Sequence, residues 1–352
     1  MEWVGPQRSF RLSPRDRQAI LPGETMRFTP EHVEQWRVEG FTILEQFFQQ
    51  DEYLPVLSDF EALYAGAGQG PGVGTARSVG ASDDASANQA LQFKNIHILP
   101  YEGSSAINLI SLHPELIAFA KALLGTSDVR LYQSHSWAKY TGEADYEQQF
   151  HCDFGNHTLT VPGDDPSGRT VAFILYLTDV TREHGALRYV TKPDVVAALG
   201  RPVISPTAEQ QQALHERERI AEVPAGSLIA HGIDTLHRGA NLTAPNGRRF
   251  SMTVGYKAAG NDQVAFHAWQ DRGNRHLWRH VFSRATPEQL ECLGIPKPGD
   301  RFWTKRTLEL TQARWPEWDM REYVAARPEL TEAKCQTDGE GGVKHGPTRW
   351  RK

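Results

Sequence analysis

The chain has 352 residues, 39% of them apolar, 10% aromatic and 23% charged, which is the composition of a globular protein with an ample core in one large or two ordinary domains. Its formal charge of −5 provides no basic field to gather nucleic acid, so a small-molecule partner is expected. Three cysteines without a CxxC pair, Cys152, Cys292 and Cys335, argue against a disulfide scaffold and a cysteine-built zinc site.

No apolar run approaches the roughly 20 residues of a membrane span, and the charged opening MEWVGPQRSFRLSPRDRQ lacks the apolar stretch of a signal peptide. A cytoplasmic setting with no membrane partner is expected. Residues 1–27 read as an N-terminal extension. TPEHVEQWRVEGFTILEQFF, residues 29–48, opens on a Thr-Pro-Glu cap and predicts a helix followed by a strand. Residues 65–88, AGAGQGPGVGTARSVGASDDASAN, hold too little apolar surface to offset their ordering entropy, which predicts a mobile segment, either a lid over the site or a plain solvated loop. INLISLHPELIAFAKALL, residues 107–124, has helical apolar spacing and a stop at Gly125. VRLYQSHSWAKY, HTLTV, TVAFILYLTDV, ALRYV, SLIAHG and RRFSMTVGY cluster β-branched and aromatic residues between turn signals, so they read as strands. Turns and not crossover helices separate them, which predicts antiparallel pairing in a β-core over about 128–260 with helices outside. A helical region over 261–333 completes a single domain over 28–333, and its tryptophans, Trp269, Trp278, Trp303, Trp315 and Trp318, are expected to pack the C-terminal helices on the core. A disordered tail is expected over 334–352.

His151 and Asp153 flank Cys152 in an HCD tripeptide. On a strand these two alternate residues would share a face and reach one metal ion. A further histidine would complete the two-histidine, one-carboxylate set that leaves positions open on Fe(II). His237, in SLIAHGIDTLHRGANLT, is the strongest candidate, and His231, six residues earlier, competes with it. Twelve residues after His237 stands Arg249, and alternation along RFSMTVGY puts Arg249 and Ser251 on one face. A guanidinium and a hydroxyl so placed can hold the distal carboxylate of 2-oxoglutarate; Arg248 takes that part if the strand starts one residue off. Gln133 and Lys139, inward on VRLYQSHSWAKY, are candidates for contact with the cosubstrate or a substrate carboxylate. His135 is a candidate substrate contact, and Asn241 a residue that orients the distal histidine or its loop on the substrate side.

Taken in order, HCD, TVAFILYLTDVTREHGALRYV, PAGSLIAHGIDTLHRGANLT and RRFSMTVGY resemble the phytanoyl-CoA dioxygenase family, and the resemblance runs over most of residues 28–260. It implies a double-stranded β-helix (jelly roll, cupin-like) and an oxygenase that uses Fe(II), 2-oxoglutarate and O₂. It further implies His151, Asp153 and His237 as iron ligands and Arg249 or Arg248 as the cosubstrate anchor. Halogenating relatives replace the carboxylate with a small residue; Asp153 is retained here, so hydroxylation of a small molecule is favoured over desaturation or rearrangement. Where the family usually continues with Pro-Gly-Ser-His, this chain reads TKPDVV, which is expected to reshape the entrance. A zinc hydrolase would not call for the Arg-x-Ser pair, and a non-catalytic cupin-like protein would have lost a ligand.

Overall fold

The computed structural model of the chain describes residues 26–69, 73–76, 95–143, 147–162, 170–264, 269 and 272–328. Two compact units result, residues 1–295 and 296–352, divided inside the region expected to close a single domain. The lid expectation falls largely on 70–72 and 77–88, and the tail expectation on 334–352; both lie outside the described residues, as does the N-terminal extension up to residue 25.

The strands of the first unit are β1 (Phe41–Leu44), β2 (Ile96–Ile98), β3 (Val129–Tyr140), β4 (Thr170–Tyr176), β5 (Arg188–Tyr189), β6 (Arg219–Ile220), β7 (Leu228–Gly232), β8 (His237–Arg238) and β9 (Arg248–Ala258). They form an antiparallel six-stranded sheet, in the order β1-β7-β4-β9-β3-β2, and a small one, β6-β5-β8. Phe41, Tyr176 and Ile229 of the large sheet share a buried cluster with Tyr189, Ala221 and Val223 on the other side. The fold is mainly β with surrounding helices, a jelly roll. Alternation sorts each strand's residues: along β4, Ile174 and Tyr176 turn to the interior cavity, while Phe173 meets Phe119 of an outer helix at 5.7 Å between ring centroids.

That helix departs from the expected continuous element over 107–124. Proline at 114 holds His113 extended (φ −57°, ψ 132°), so a short helix at Ser105–Leu109 and a 3₁₀ turn precede the main helix, Pro114–Leu124. Gly125 ends it in the left-handed region as foreseen (φ 65°). The apolar stretch Ser105–Leu124, 20 residues at a mean hydropathy of 1.3, is mostly buried inside the protein. HTLTV forms no strand: only Thr158 makes an isolated bridge, and Leu159 and Val161 are exposed. A helix at Gln50–Leu63 follows the opening helix (Pro30–Glu39) and β1, where no element was expected. In the second unit Trp303, Trp318 and Tyr323 meet edge to face at 4.9–6.0 Å beside the helices Lys305–Arg314 and Arg321–Ala325.

Candidate metal centre

His151 and His237 stand opposite each other, each backbone N–H donating to the other's carbonyl at 3.0 Å, with ring centroids 4.7 Å apart. Asp153 reaches them differently from the strand alternation expected. The chain leaves the ladder after His151, Asp153 adopts helical angles (φ −73°, ψ −12°), and a one-turn helix, Phe154–His157, begins. The turn formers Gly155 and Asn156 in DFGNH were the signal for this bend. The carboxylate comes back to within 3.7 Å (Oδ1) of His151 Nε2 and 3.6 Å (Oδ2) of His237 Nε2. One donor atom from each of the three side chains lies within 4.8 Å of the other two, a set of atoms that could hold one metal ion.

The hydrogen bonds behind the rings bear on that fit. His151 Nδ1 lies 2.9 Å from the Gln149 carbonyl, and His237 Nδ1 lies 3.0 Å from that of Thr235. A carbonyl only accepts, so Nδ1 carries the proton and Nε2 presents a lone pair to the cluster, the arrangement a ligating imidazole requires. Burial lowers the pKa of both histidines below the usual range, against the pull of Asp153. Burial acts to raise the Asp153 pKa, but the surrounding imidazoles of His237, His231 and His151 overcome it and hold the carboxyl below its ordinary value. Neutral imidazoles and an ionised carboxylate are the forms that bind a divalent cation.

His231, the competing candidate, is 1% exposed and also meets Asp153, with Nε2 3.5 Å from Oδ2. Its Nδ1 faces the Tyr189 hydroxyl at 3.1 Å. A hydroxyl can donate, so the carbonyl argument that bares Nε2 in His151 and His237 does not apply here. Sequence parity alone could not separate the two histidines.

The cluster opens on a cavity of about 640 Å³ between the sheets. Of the residues singled out from sequence, Gln133, His135, Lys139, Arg249 and Ser251 line it, because β3 and β9 pair with Lys139 opposite Arg249 and Trp137 opposite Ser251. Arg249 is 5% exposed and donates from Nη1 to the Gly185 carbonyl. Gly185 is in the left-handed region (φ 69°), and a Cβ there would lie 2.5 Å from the Ala240 carbonyl and 3.1 Å from Arg249 Nη1, so only glycine suits this turn. No carboxylate pairs with Arg249 or Lys139 among the described residues. Burial, with Arg249 facing it, pushes the Lys139 ammonium well below its ordinary pKa. Arg248 is a correction: β9 starts at Arg248, its side chain points to the opposite face, and it pairs with Glu61 at 2.9 Å. Asn241 does not line the cavity; its backbone N–H donates to Glu147 at 3.1 Å, and its carbonyl packs against the Gly185 turn that holds Arg249. TKPDVV forms the start of a helix, Lys192–Leu199, capped by Thr191, and its Val195 packs behind Phe150, Cys152 and Leu236, so it supports the ligand segment and does not shape the entrance. Ile174, Tyr176, Leu187 and His157 also line the cavity and escaped notice, because nothing in their strands or turns marks them as other than core.

No curated protein sequence matches the chain. Among solved structures it is similar to the non-heme alpha ketoglutarate dependent carbocyclase SnoK from nogalamycin biosynthesis, at 19% identity over 67% of this chain and 87% of that one, with a TM-score of 0.48. HygX from Streptomyces hygroscopicus, with nickel and 2-oxoglutarate bound, gives 17% over 69% and 90%, with a TM-score of 0.45. EctD from S. alaskensis gives 16% over 66% and 78%, with a TM-score of 0.47. The sequence pattern of phytanoyl-CoA dioxygenase matches residues 36–250, more than half of the chain and the whole stretch that carries the His-Asp-His cluster and Arg249, and the protein therefore belongs to the phytanoyl-CoA dioxygenase family of iron- and 2-oxoglutarate-dependent oxygenases.

Proposed function

We propose that the protein hydroxylates an unactivated C–H bond of a small molecule, with His151, Asp153 and His237 holding Fe(II). The observation that carries this reading is the pairing of two histidines, each with Nδ1 tied to a backbone carbonyl, around one buried carboxylate. Arg249 and Ser251 hold the distal carboxylate of 2-oxoglutarate, with Lys139 beside them on the facing strand. Asp153 is the one acidic residue among the described lining residues. Its single negative charge, the dication, the Arg249 guanidinium and a dianionic cosubstrate balance one another before Lys139 is counted, which lowers the penalty of burying each of them. Gln133 and His135, hydrogen-bonded to each other at 3.1 Å, present polar groups farther along the same face, Gln133 toward the cosubstrate and His135 toward the substrate.

Fe(II) with 2-oxoglutarate and O₂ supplies the oxidising power, one oxygen atom passing to succinate as CO₂ leaves and the other to the substrate. The chain's own part is to orient the cosubstrate through Arg249, to keep the imidazoles neutral and to enclose the reaction between two sheets. Anaerobic addition of Fe(II) and 2-oxoglutarate should raise a weak visible charge-transfer band. A screen of small molecules for succinate formation should then yield a product heavier by one oxygen. Turnover with zinc alone and no succinate would replace this reading with a hydrolase.

A further inference from the structure

We infer that His231 is a positioning residue for the metal site, fixing the Asp153 carboxylate through a relay that runs from the Tyr189 hydroxyl through the His231 ring. The inference rests on the ligand set proposed above and assigns a part to the histidine that set leaves over.

Tyr189 is fully buried and clamped by stacking on Phe41 at 4.4 Å and 17°. Among the described residues its hydroxyl has one hydrogen-bond partner, His231 Nδ1 at 3.1 Å. On the far side of the same ring, Nε2 is 3.5 Å from Asp153 Oδ2, the long end of a hydrogen bond. A carboxylate oxygen only accepts, so an attractive contact needs the proton on Nε2. A neutral ring then leaves Nδ1 bare, and a phenol, whose ordinary pKa is about 10, has the proton to give it. Of the two neutral tautomers only one satisfies both contacts: Tyr189 donates to His231, and His231 donates to Asp153. The opposite tautomer would set a nitrogen lone pair against the carboxylate. His151 and His237 carry the reverse arrangement, with the proton on Nδ1. The three imidazoles around Asp153 are thus sorted by what lies behind each ring, two carbonyls and one hydroxyl, into two lone-pair donors and one proton donor.

The chemistry this supplies is orientation. A carboxylate bound through one oxygen rotates and can swing to two-point attachment, which would use a position the cosubstrate or O₂ requires. A hydrogen bond from His231 to Oδ2, the oxygen that also faces His237 at 3.6 Å, would limit rotation of the carboxylate and leave Oδ1, 3.7 Å from His151 Nε2, available to a cation.

The test uses the metal-depleted full chain with Co(II) as probe, reading affinity, the ligand-field absorption at saturation and the melting midpoint of the metal-free protein. His231→Leu is expected to weaken Co(II) binding roughly 10- to 100-fold and to change the ligand-field band. His231→Gln, whose amide can place an N–H near the position of Nε2, should restore affinity to within about threefold of the parent and return the band. Tyr189→Phe keeps the stacked ring, loses only the hydroxyl, and should weaken binding by roughly threefold to tenfold. Wild-type affinity and band in His231→Leu overturn the inference. So does a Gln variant no better than Leu when their metal-free melting midpoints agree. His237→Ala is the separate control: if it binds Co(II) like the parent, the ligand set itself has failed and the relay with it.

Discussion

At Glu52 and at Asp153 the chain sets histidine nitrogens beside a carboxylate, and the groups around each decide opposite outcomes. Glu52 is engaged from every side. Arg27 grips it with two nitrogens at 2.6 and 2.8 Å, His113 Nε2 is 3.0 Å away, and the Gln49 N–H donates at 2.8 Å. His113 Nδ1 accepts the backbone N–H of Glu115 at 3.2 Å, so its proton sits on Nε2 and points at the carboxylate. Among the described residues, Asp153 has no guanidinium or ammonium beside it. Two of its imidazoles face it with lone pairs, because their backbone partners are carbonyls. The same two residue types make a closed ion cluster at one place and an open donor set at the other. The difference lies in whether a backbone N–H or a C=O stands behind the ring.

The largest expected effect breaks the open set. His151→Ala, Asp153→Ala or His237→Ala should each weaken Fe(II) or Co(II) binding by more than about 1,000-fold and abolish succinate formation, because two remaining ligands hold the ion loosely. His113→Ala should leave metal affinity unchanged and lower stability by about 1–2 kcal/mol. Equilibrium dialysis and urea unfolding on the four proteins read both effects. A metal-affinity loss in His113→Ala would dissolve the contrast.

Next in size is the cosubstrate anchor. Arg249→Ala removes a buried, charge-assisted contact, so the anaerobic dissociation constant for 2-oxoglutarate should rise roughly 10- to 100-fold while Fe(II) affinity holds. Titration of the charge-transfer band measures the first and dialysis the second.

How far these features could be read from residues alone depends on the range of the cause. β3 and β9 were legible because a two-residue alternation is a local property, and it placed Arg249 and Ser251 on one face. His151, Asp153 and His237 were legible as residue types. Their geometry was not: Asp153 arrives by a helical turn, which the DFGN turn formers signalled but the strand reading overrode. His231 and His237 could not be told apart, since what separates them is a hydroxyl on β5 and a carbonyl two residues back, and neither contact follows from spacing. The break at Pro114 was visible in the sequence and was outvoted by helical periodicity on both sides.

Glu52 offers a smaller test, in acid. Arg27, chiefly, holds its pKa down to about 2 from an ordinary 4.5. A carboxyl with a depressed folded pKa contributes stability that is complete above 4.5 and is lost as the pH falls toward 2. With the side chain about a quarter exposed, solvent screening reduces the contribution to about 1–2 kcal/mol. Glu52→Gln should therefore unfold at lower urea than the parent at pH 7, and the gap should narrow as the pH falls below 4.5 and close once it is below about 2. A gap that persists unchanged in acid would mean that the cluster stabilises through packing and not through charge.

The smallest expected effect concerns Arg248, one residue from Arg249 and on the other face of the same strand. Its guanidinium lies 2.9 Å from Glu61, with both side chains about half exposed, and 5.1 Å over the Phe250 ring. An exposed ion pair contributes at most about 1 kcal/mol, and a cation held over an aromatic ring at the surface adds a similar fraction. Arg248→Ala should thus shift stability by about 0.5 kcal/mol, in a salt-dependent way, and leave the 2-oxoglutarate dissociation constant within about twofold of the parent. Because β9 is paired on both sides, by β3 and β4, its register cannot slip without turning Ser251 and Thr253 out of the cavity as well. Two adjacent arginines that differ only in face should therefore differ at least fivefold in their effect on cosubstrate binding; equal losses in Arg248→Ala and Arg249→Ala would mean that the field of the strand end, and not a contact inside the cavity, holds the carboxylate.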